Sequence, residues 1–145
     1  MSRRNLLVIV ASAMLCAGAG YADSILLVDT DIFQRTGNVV QNGTAFVTLW
    51  EYETSDTTAL TNLPALGLEQ VLFPGPGVLL QFEYEFTLGG SSDRDEFGAC
   101  IIDSTGWSVG SAFEFFANTS SSGTVTWDLS ALEGETGLGI QFSLQ

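Results

Sequence analysis

The chain has 145 residues, the size of one ordinary domain, and carries 17 acidic against 4 basic side chains for a formal net charge of −13 at pH 7. That field repels nucleic acid and anionic lipid surfaces and is compatible with divalent cations and neutral sugars. Histidine is absent, which excludes Ser-His-Asp and Cys-His nucleophiles and any histidine-bound zinc.

The chain opens on Arg3 and Arg4, continues as an apolar run from Leu6 to Ala17, and reaches Gly18, Ala19, Gly20 and Ala22. A basic start, a short apolar middle and small residues predict a secretory signal peptide over residues 1–22, cut between Ala22 and Asp23. The run is too short to cross a bilayer comfortably. Leu15 ahead of Cys16 argues against lipid attachment there. Residues 23–145 then form a single exported domain, expected outside the cell, at its surface or in the periplasm. All the acidic residues follow the cut, with only Arg35 and Arg94 against them. Cys100 is the sole cysteine left, so no intrachain disulfide can form; between Ala99 and Ile101 it reads as a small buried apolar residue.

Ile25 to Val28 is a short apolar run suited to a first strand. Val39-Val40-Gln41 and Thr44 to Tyr52 flank Asn42-Gly43, the pattern of a hairpin closed by a type I′ turn. Residues Thr54 to Pro64, rich in Thr, Ser, Asp and Asn, read as a loop. Leu66 to Phe73 is a candidate strand, stopped by Pro74-Gly75-Pro76-Gly77. Leu80 to Leu88 is the clearest element: Leu80, Phe82, Tyr84, Phe86 and Leu88 alternate with Gln81, Glu83, Glu85 and Thr87, which puts three aromatic rings on one face of a half-buried strand.

After a turn over Gly89 to Asp95, Phe97 to Ile102 is a mostly apolar run ending in the turn cluster Asp103-Ser104-Thr105-Gly106. Ser111 to Phe116 predicts an aromatic strand and Asn118 to Gly123 a polar turn. Thr124 to Leu129 alternates with Val125, Trp127 and Leu129 inward; Ser130 to Thr136 makes a short turn; Leu138, Ile140, Phe142 and Leu144 mark a last strand. Short strands at even spacing, punctuated by Gly and Pro, predict an all-β fold: an antiparallel two-sheet sandwich of jelly-roll type, with an immunoglobulin-like sandwich as the competing topology.

Asn42-Gly43-Thr44-Ala45-Phe46-Val47, Leu68 to Pro74, Leu80 to Phe86, Asp95-Glu96-Phe97 and Thr126 to Gly134 occur in the order seen in the β-sandwich domain of exported bacterial PEP-CTERM, or choice-of-anchor, proteins, which the chain resembles over most of residues 23–145. The resemblance, which extends to galactose-binding-like modules, implies a non-enzymatic protein of the cell surface or extracellular matrix that contacts polysaccharide. The Pro-Glu-Pro motif, apolar helix and basic tail of that family do not appear before Gln145, so the chain reads either as a free secreted relative or as a truncated sequence, and membrane anchoring has no support in these residues.

Three constellations could carry chemistry. Glu83 and Glu85 sit on one strand face roughly 7 Å apart at about 3.3 Å per residue, within the spacing glycosidases use. Thr87 stands where a third carboxylate would complete the Glu-x-Asp-x-Glu pattern of concanavalin-like sandwiches. A glycoside hydrolase is therefore the alternative function, and Glu51 with Glu53 is weighed in the same way. Asp93, Asp95 and Glu96 supply hard oxygens for a Ca²⁺ site, with Asp29 and Asp31 as further ligands, although Phe97 breaks the EF-hand spacing. Of the tryptophans, Trp127 and Trp50 read as core. Trp107 falls outside any alternation and is the best exposed platform for a sugar ring. The reading that follows is an exported, non-catalytic sandwich, binding carbohydrate or building envelope architecture through Trp107 and the Asp93 to Glu96 turn.

Overall fold

The structure, a computed structural model, describes residues 5–10, 13–16, 22–25, 32–42, 46–51, 57–87 and 96–145. Among them the strands are β1 (Asn5–Val10), β2 (Ala13–Cys16), β3 (Ala22–Ile25), β4 (Gln34–Thr36), β5 (Asn38–Asn42), β6 (Phe46–Glu51), β7 (Thr58–Asn62), β8 (Leu79–Thr87), β9 (Phe97–Ile102), β10 (Glu114–Ala117), β11 (Ser121–Asp128) and β12 (Gly139–Leu144). One sheet runs β11-β8-β1-β6-β5 and the other β10-β9-β12-β7-β4, while β2 and β3 form a separate ribbon. Every pairing is antiparallel.

β8 behaves as its alternation predicts. Leu80, Phe82 and Phe86 are buried, Tyr84 is half-buried, and Glu83, Glu85 and Thr87 are exposed. The partner layer supplies Phe97, Ile101, Ile140 and Phe142, all without solvent contact. Phe82 lies at the centre, with Phe142 at 5.2 Å and 81° and Trp127 at 5.4 Å and 68°. These edge-to-face contacts set the positive rim of one ring against the negative face of the next. β12 keeps its pattern too: Leu138, Ile140, Phe142 and Leu144 are all buried.

Strand order decides between the two sandwich topologies. From β6 onward the chain changes sheet at each connection except the β9–β10 hairpin, so β6-β1-β8-β11 faces β7-β12-β9-β10. That interleaving belongs to a double Greek-key jelly roll. An immunoglobulin-like sandwich keeps more consecutive strands together in one sheet.

Several local expectations are corrected. Residues 58–62, expected in a loop, form β7 between β12 and β4. Its polar composition hid it: Thr58 and Asn62 are buried despite being polar. Residues 66–73 contain no strand; a 3-10 turn over Pro64–Leu66 leads into irregular chain that buries Val71 and Leu72. The hairpin of β5 and β6 is present, but Asn42 pairs with Phe46. That register leaves three residues between the strands where a type I′ turn would have two. Ser111–Phe113 is a 3-10 turn rather than strand, and β10 starts at Glu114. β11 starts at Ser121, inside the stretch expected to turn. Cys100 is half-buried and not in the core, because Ala99 and Ile101 occupy the inward positions on either side. Burial and the nearby Glu114 charge both push its thiol pKa up.

Residues 5–10 and 13–16, expected within a leader, form β1 and β2. Of the expected first strand over residues 25–28, all but Ile25 lies outside the described residues, as do Leu88 and the side chain of Trp50.

Asn62 explains how β7 holds its neighbours. Its Nδ2 donates to the carbonyl oxygens of Ile32 at 2.7 Å and Glu69 at 2.9 Å, pinning the approach to β4 and the loop after β7 to one point. Asn62→Ala would remove the partner of two carbonyls whose hydrogen bonds are part-buried, at about 1–3 kcal/mol for each unmet group. Urea denaturation is expected to show a loss of about 2–4 kcal/mol; a change under ~1 kcal/mol would mean that the two carbonyls find other partners.

Candidate functional site

The register places three loops at one end of the sandwich. β7 ends at Asn62 opposite Ile140, β9 ends at Ile102 opposite Gly139, and β8 begins where β11 ends, Leu79 opposite Asp128. The loops over residues 63–78, 103–108 and 129–138 therefore emerge together. They are stitched to each other. The Leu129 N–H donates to the Val78 carbonyl at 2.8 Å, and the Gly77 N–H donates to Ser130 Oγ at 3.1 Å. Gly137 approaches Ser104 so closely that a Cβ on it would lie 3.7 Å from the serine Cβ.

Trp107 stands on this end with 76% of its surface exposed. The turn beneath it is closed by Asp103, whose Oδ1 accepts from the Thr105 hydroxyl at 2.6 Å, the Thr105 N–H at 2.8 Å and the Trp107 N–H at 3.2 Å. The Asp103 N–H in turn donates to the Trp107 carbonyl at 2.8 Å. Such a turn forms because an Asp side chain can satisfy backbone donors two and four residues ahead, and Gly106 takes the left-handed φ of 87° that the closure needs. Asp128 repeats the device with Ser130, accepting from its hydroxyl at 2.6 Å and its N–H at 2.9 Å. The shared Asp-x-Ser/Thr spacing was visible in the sequence and marks both locks.

The hydroxyl of Thr105, then the backbone N–H groups, hold the Asp103 carboxyl below the ordinary carboxylate value of 3.8. A pKa depressed by folding means the lock is fully present above the ordinary value and is lost only as pH falls through the lower, folded one. A carbon-detected NMR titration is therefore expected to place the Asp103 midpoint below 3.8. Thr105→Ala should move it back up; a midpoint unchanged by that substitution would show that the hydroxyl is not its cause.

Two exposed apolar side chains missed in the sequence share this end: Phe73 at 55% and Leu66 at 52%. The signal was the Pro-Gly-Pro-Gly run directly after Phe73, which removes it from any strand. Phe116 is also exposed, but on β10 away from the loops, where its ring lies 3.3 Å from the position a Cβ on Gly98 would take and so covers that glycine's backbone.

The other expected residues are placed elsewhere. Glu96 is half-buried just before β9 and exchanges two backbone hydrogen bonds with Gln145, at 2.8 and 3.1 Å. That pair belongs to the opposite end of β9 from Trp107. Asp93 and Asp95 lie outside the described residues, as do Asp29 and Asp31. Among the described residues no group of three or more acidic or cysteine side chains is placed to hold a metal ion. Glu83 and Glu85 are exposed and sit opposite Thr124 and Ser122 on β11, on a sheet face rather than at the loop end. Glu53 lies outside the described residues, and of Glu51 only the backbone is described. Trp127 is buried among Phe82 and its neighbours, as expected. No described helix is long and apolar enough to cross a membrane.

No known protein family, curated protein or solved structure matches this chain. The chemistry of the loop end is therefore read from its own residues.

Proposed function

We propose that this chain is an exported, non-catalytic jelly-roll protein that binds neutral polysaccharide at the cell surface or in the extracellular matrix, through the loop end that carries Trp107. One observation carries the reading: an indole three-quarters exposed on a turn locked by the hydrogen bonds of Asp103. An aromatic face stacks on the apolar C–H face of a sugar ring, and a preformed turn loses little freedom on binding. The acidic surface disfavours polyanions and leaves neutral glycans as the better partner. The resemblance to PEP-CTERM and choice-of-anchor domains agrees with this reading and rests on residues alone.

Affinity electrophoresis through gels containing neutral polysaccharides, with a glycan array alongside, tests it. Trp107→Ala is expected to weaken retention by about tenfold, equivalent to ~1.4 kcal/mol. It should leave the melting midpoint within about 2 °C, since an exposed side chain contributes little to the core. Retention equal in both proteins, or absent from both, would remove the proposal.

A further inference from the structure

Among the described residues the two sheets end in four edge strands, β11 and β5 on one, β10 and β4 on the other. A free edge offers unpaired N–H and C=O groups to any extended chain, and folds blunt it with short strands, charges, proline or bulges. Three of these edges are managed in such ways. β4 is three residues long with Arg35 at its middle, and β10 is four residues long and opens on Glu114. β5 begins by leaning on the other sheet, its Asn38 N–H directed at Thr58 Oγ1 3.4 Å away. β11 has no such device. It runs eight residues in unbroken register with β8 and carries neither charge nor proline from Ser121 to Trp127. Ser122, Gly123, Thr124 and Thr126 are exposed, so this edge faces solvent.

We propose that β11 is a self-association edge, which pairs antiparallel with β11 of a second copy of this chain. Backbone direction sets the register. The Leu129 N–H donates to the Val78 carbonyl on the β8 side. Antiparallel bonding alternates along a strand, so Trp127, Val125 and Gly123 bond toward β8 and the N–H and C=O groups of Ser122, Thr124 and Thr126 point to the open side. A two-fold axis at Thr124 then sets Thr124 against Thr124, Ser122 against Thr126 and Gly123 against Val125. Thr and Ser pairs across strands are favourable, and this register opposes no two charges. The strand thus supplies its own complement, which favours a second copy over a foreign segment. The nearest carboxylates are Glu83 and Glu85 on β8, beside Thr124 and Ser122. The Glu83 residues of the two copies would stand three strand spacings apart, about 14 Å, beyond the ~10 Å screening length at about 0.1 M salt. The contact joins two five-stranded sheets into one. Because β11 ends at the loop end and its partner runs the opposite way, the two Trp107 ends point to opposite poles of the dimer.

Sedimentation velocity of the purified chain from about 1 to about 200 μM, at about 0.15 M salt, is expected to show a monomer in equilibrium with a dimer. Thr124→Pro should raise the dissociation constant at least about tenfold. It should leave the melting midpoint within about 3 °C, because the N–H it deletes points away from β8. Thr124→Asp leaves the backbone as it is, opposes two carboxylates across the axis and should weaken the dimer likewise; if Thr124→Pro melts early, this second variant decides. Hydrogen exchange by NMR reads the contact itself: the amides of Ser122, Thr124 and Thr126 should exchange at least about tenfold more slowly at the high concentration than at the low one. Reducing salt to about 0.02 M should weaken association, since each copy carries a net charge of −13. A monomer over the whole concentration range would overturn the inference. A dimer that Thr124→Asp leaves intact, or one that tightens as salt is removed, would overturn it too, because the copies would then meet through another surface.

Discussion

Phe82→Ala is expected to destabilise the fold by about 3–5 kcal/mol, the usual cost of deleting a fully buried aromatic ring. Phe82 has no solvent contact and makes ring contacts to both layers: Trp127 on β11 beside it, and Phe142 on β12 and Phe115 on β10 across from it, the last at 6.4 Å. Alanine removes the ring from a site whose walls are strands of two different sheets. Neither sheet can move inward alone, so the cavity stays largely open and the lost contacts are not recovered. For a domain of this size the melting midpoint should fall by about 10–20 °C. Phe116→Ala provides the contrast, since the same residue type exposed on β10 should cost less than about 1 kcal/mol. Similar losses in the two variants would mean that the aromatic cluster does not hold the layers together.

Gly139→Ala is expected to be nearly as damaging for the opposite reason. A Cβ at this position would collide with the Asn62 carbonyl oxygen and lie 3.0 Å from the Cα of Leu63. Both contacts are to backbone, which cannot rotate away as a side chain can. The first residue of β12 must therefore shift, and it sits between β9 and β7 with Ile102 and Asn62 beside it. Overpacking of this kind costs about 1–3 kcal/mol and more where backbone has to yield; a loss above ~3 kcal/mol is expected by urea denaturation. Gly67→Ala offers a comparison, since its Cβ would meet nothing within 4 Å, leaving only the strain of a φ of 81°. If Gly139→Ala unfolds at the wild-type denaturant concentration, the close approach of β12 to the β7 turn is not present in solution.

Much of the fold could be read along the chain because alternation is a local property. β8, β12 and the second half of β11 carry apolar side chains at every second position, and a pleated strand converts that spacing into one buried face whatever lies opposite. β7 could not be read in this way. Thr58 and Asn62 are buried where β7 lies between β12 and β4, whose partner residues come 78 to 86 positions later and 23 to 27 positions earlier, and nothing near them in sequence announces it. The apolar run over 66–73 misled for the same reason: Val71 and Leu72 are buried by covering the end of the sandwich, not by joining a ladder.

The candidate site divides along the same line. Trp107 was legible because it breaks every alternation and follows a turn cluster. Phe73 and Leu66 were not, since their loop shares an end with that of Trp107 only because β7, β9 and β8 bring their ends together.

Composition and alternation alone thus dictated an acidic, all-β chain with the aromatic side chains of β8 turned to one face, for side-chain direction in a strand depends only on the parity of its position. Strand order, the burial of Asn62, the gathering of three loops at one end of the sandwich and the pairing of β1 with both β6 and β8 were settled in three dimensions. Each of them depends on hydrogen bonds between residues far apart in the chain, and no local pattern encodes which distant edge a strand will meet.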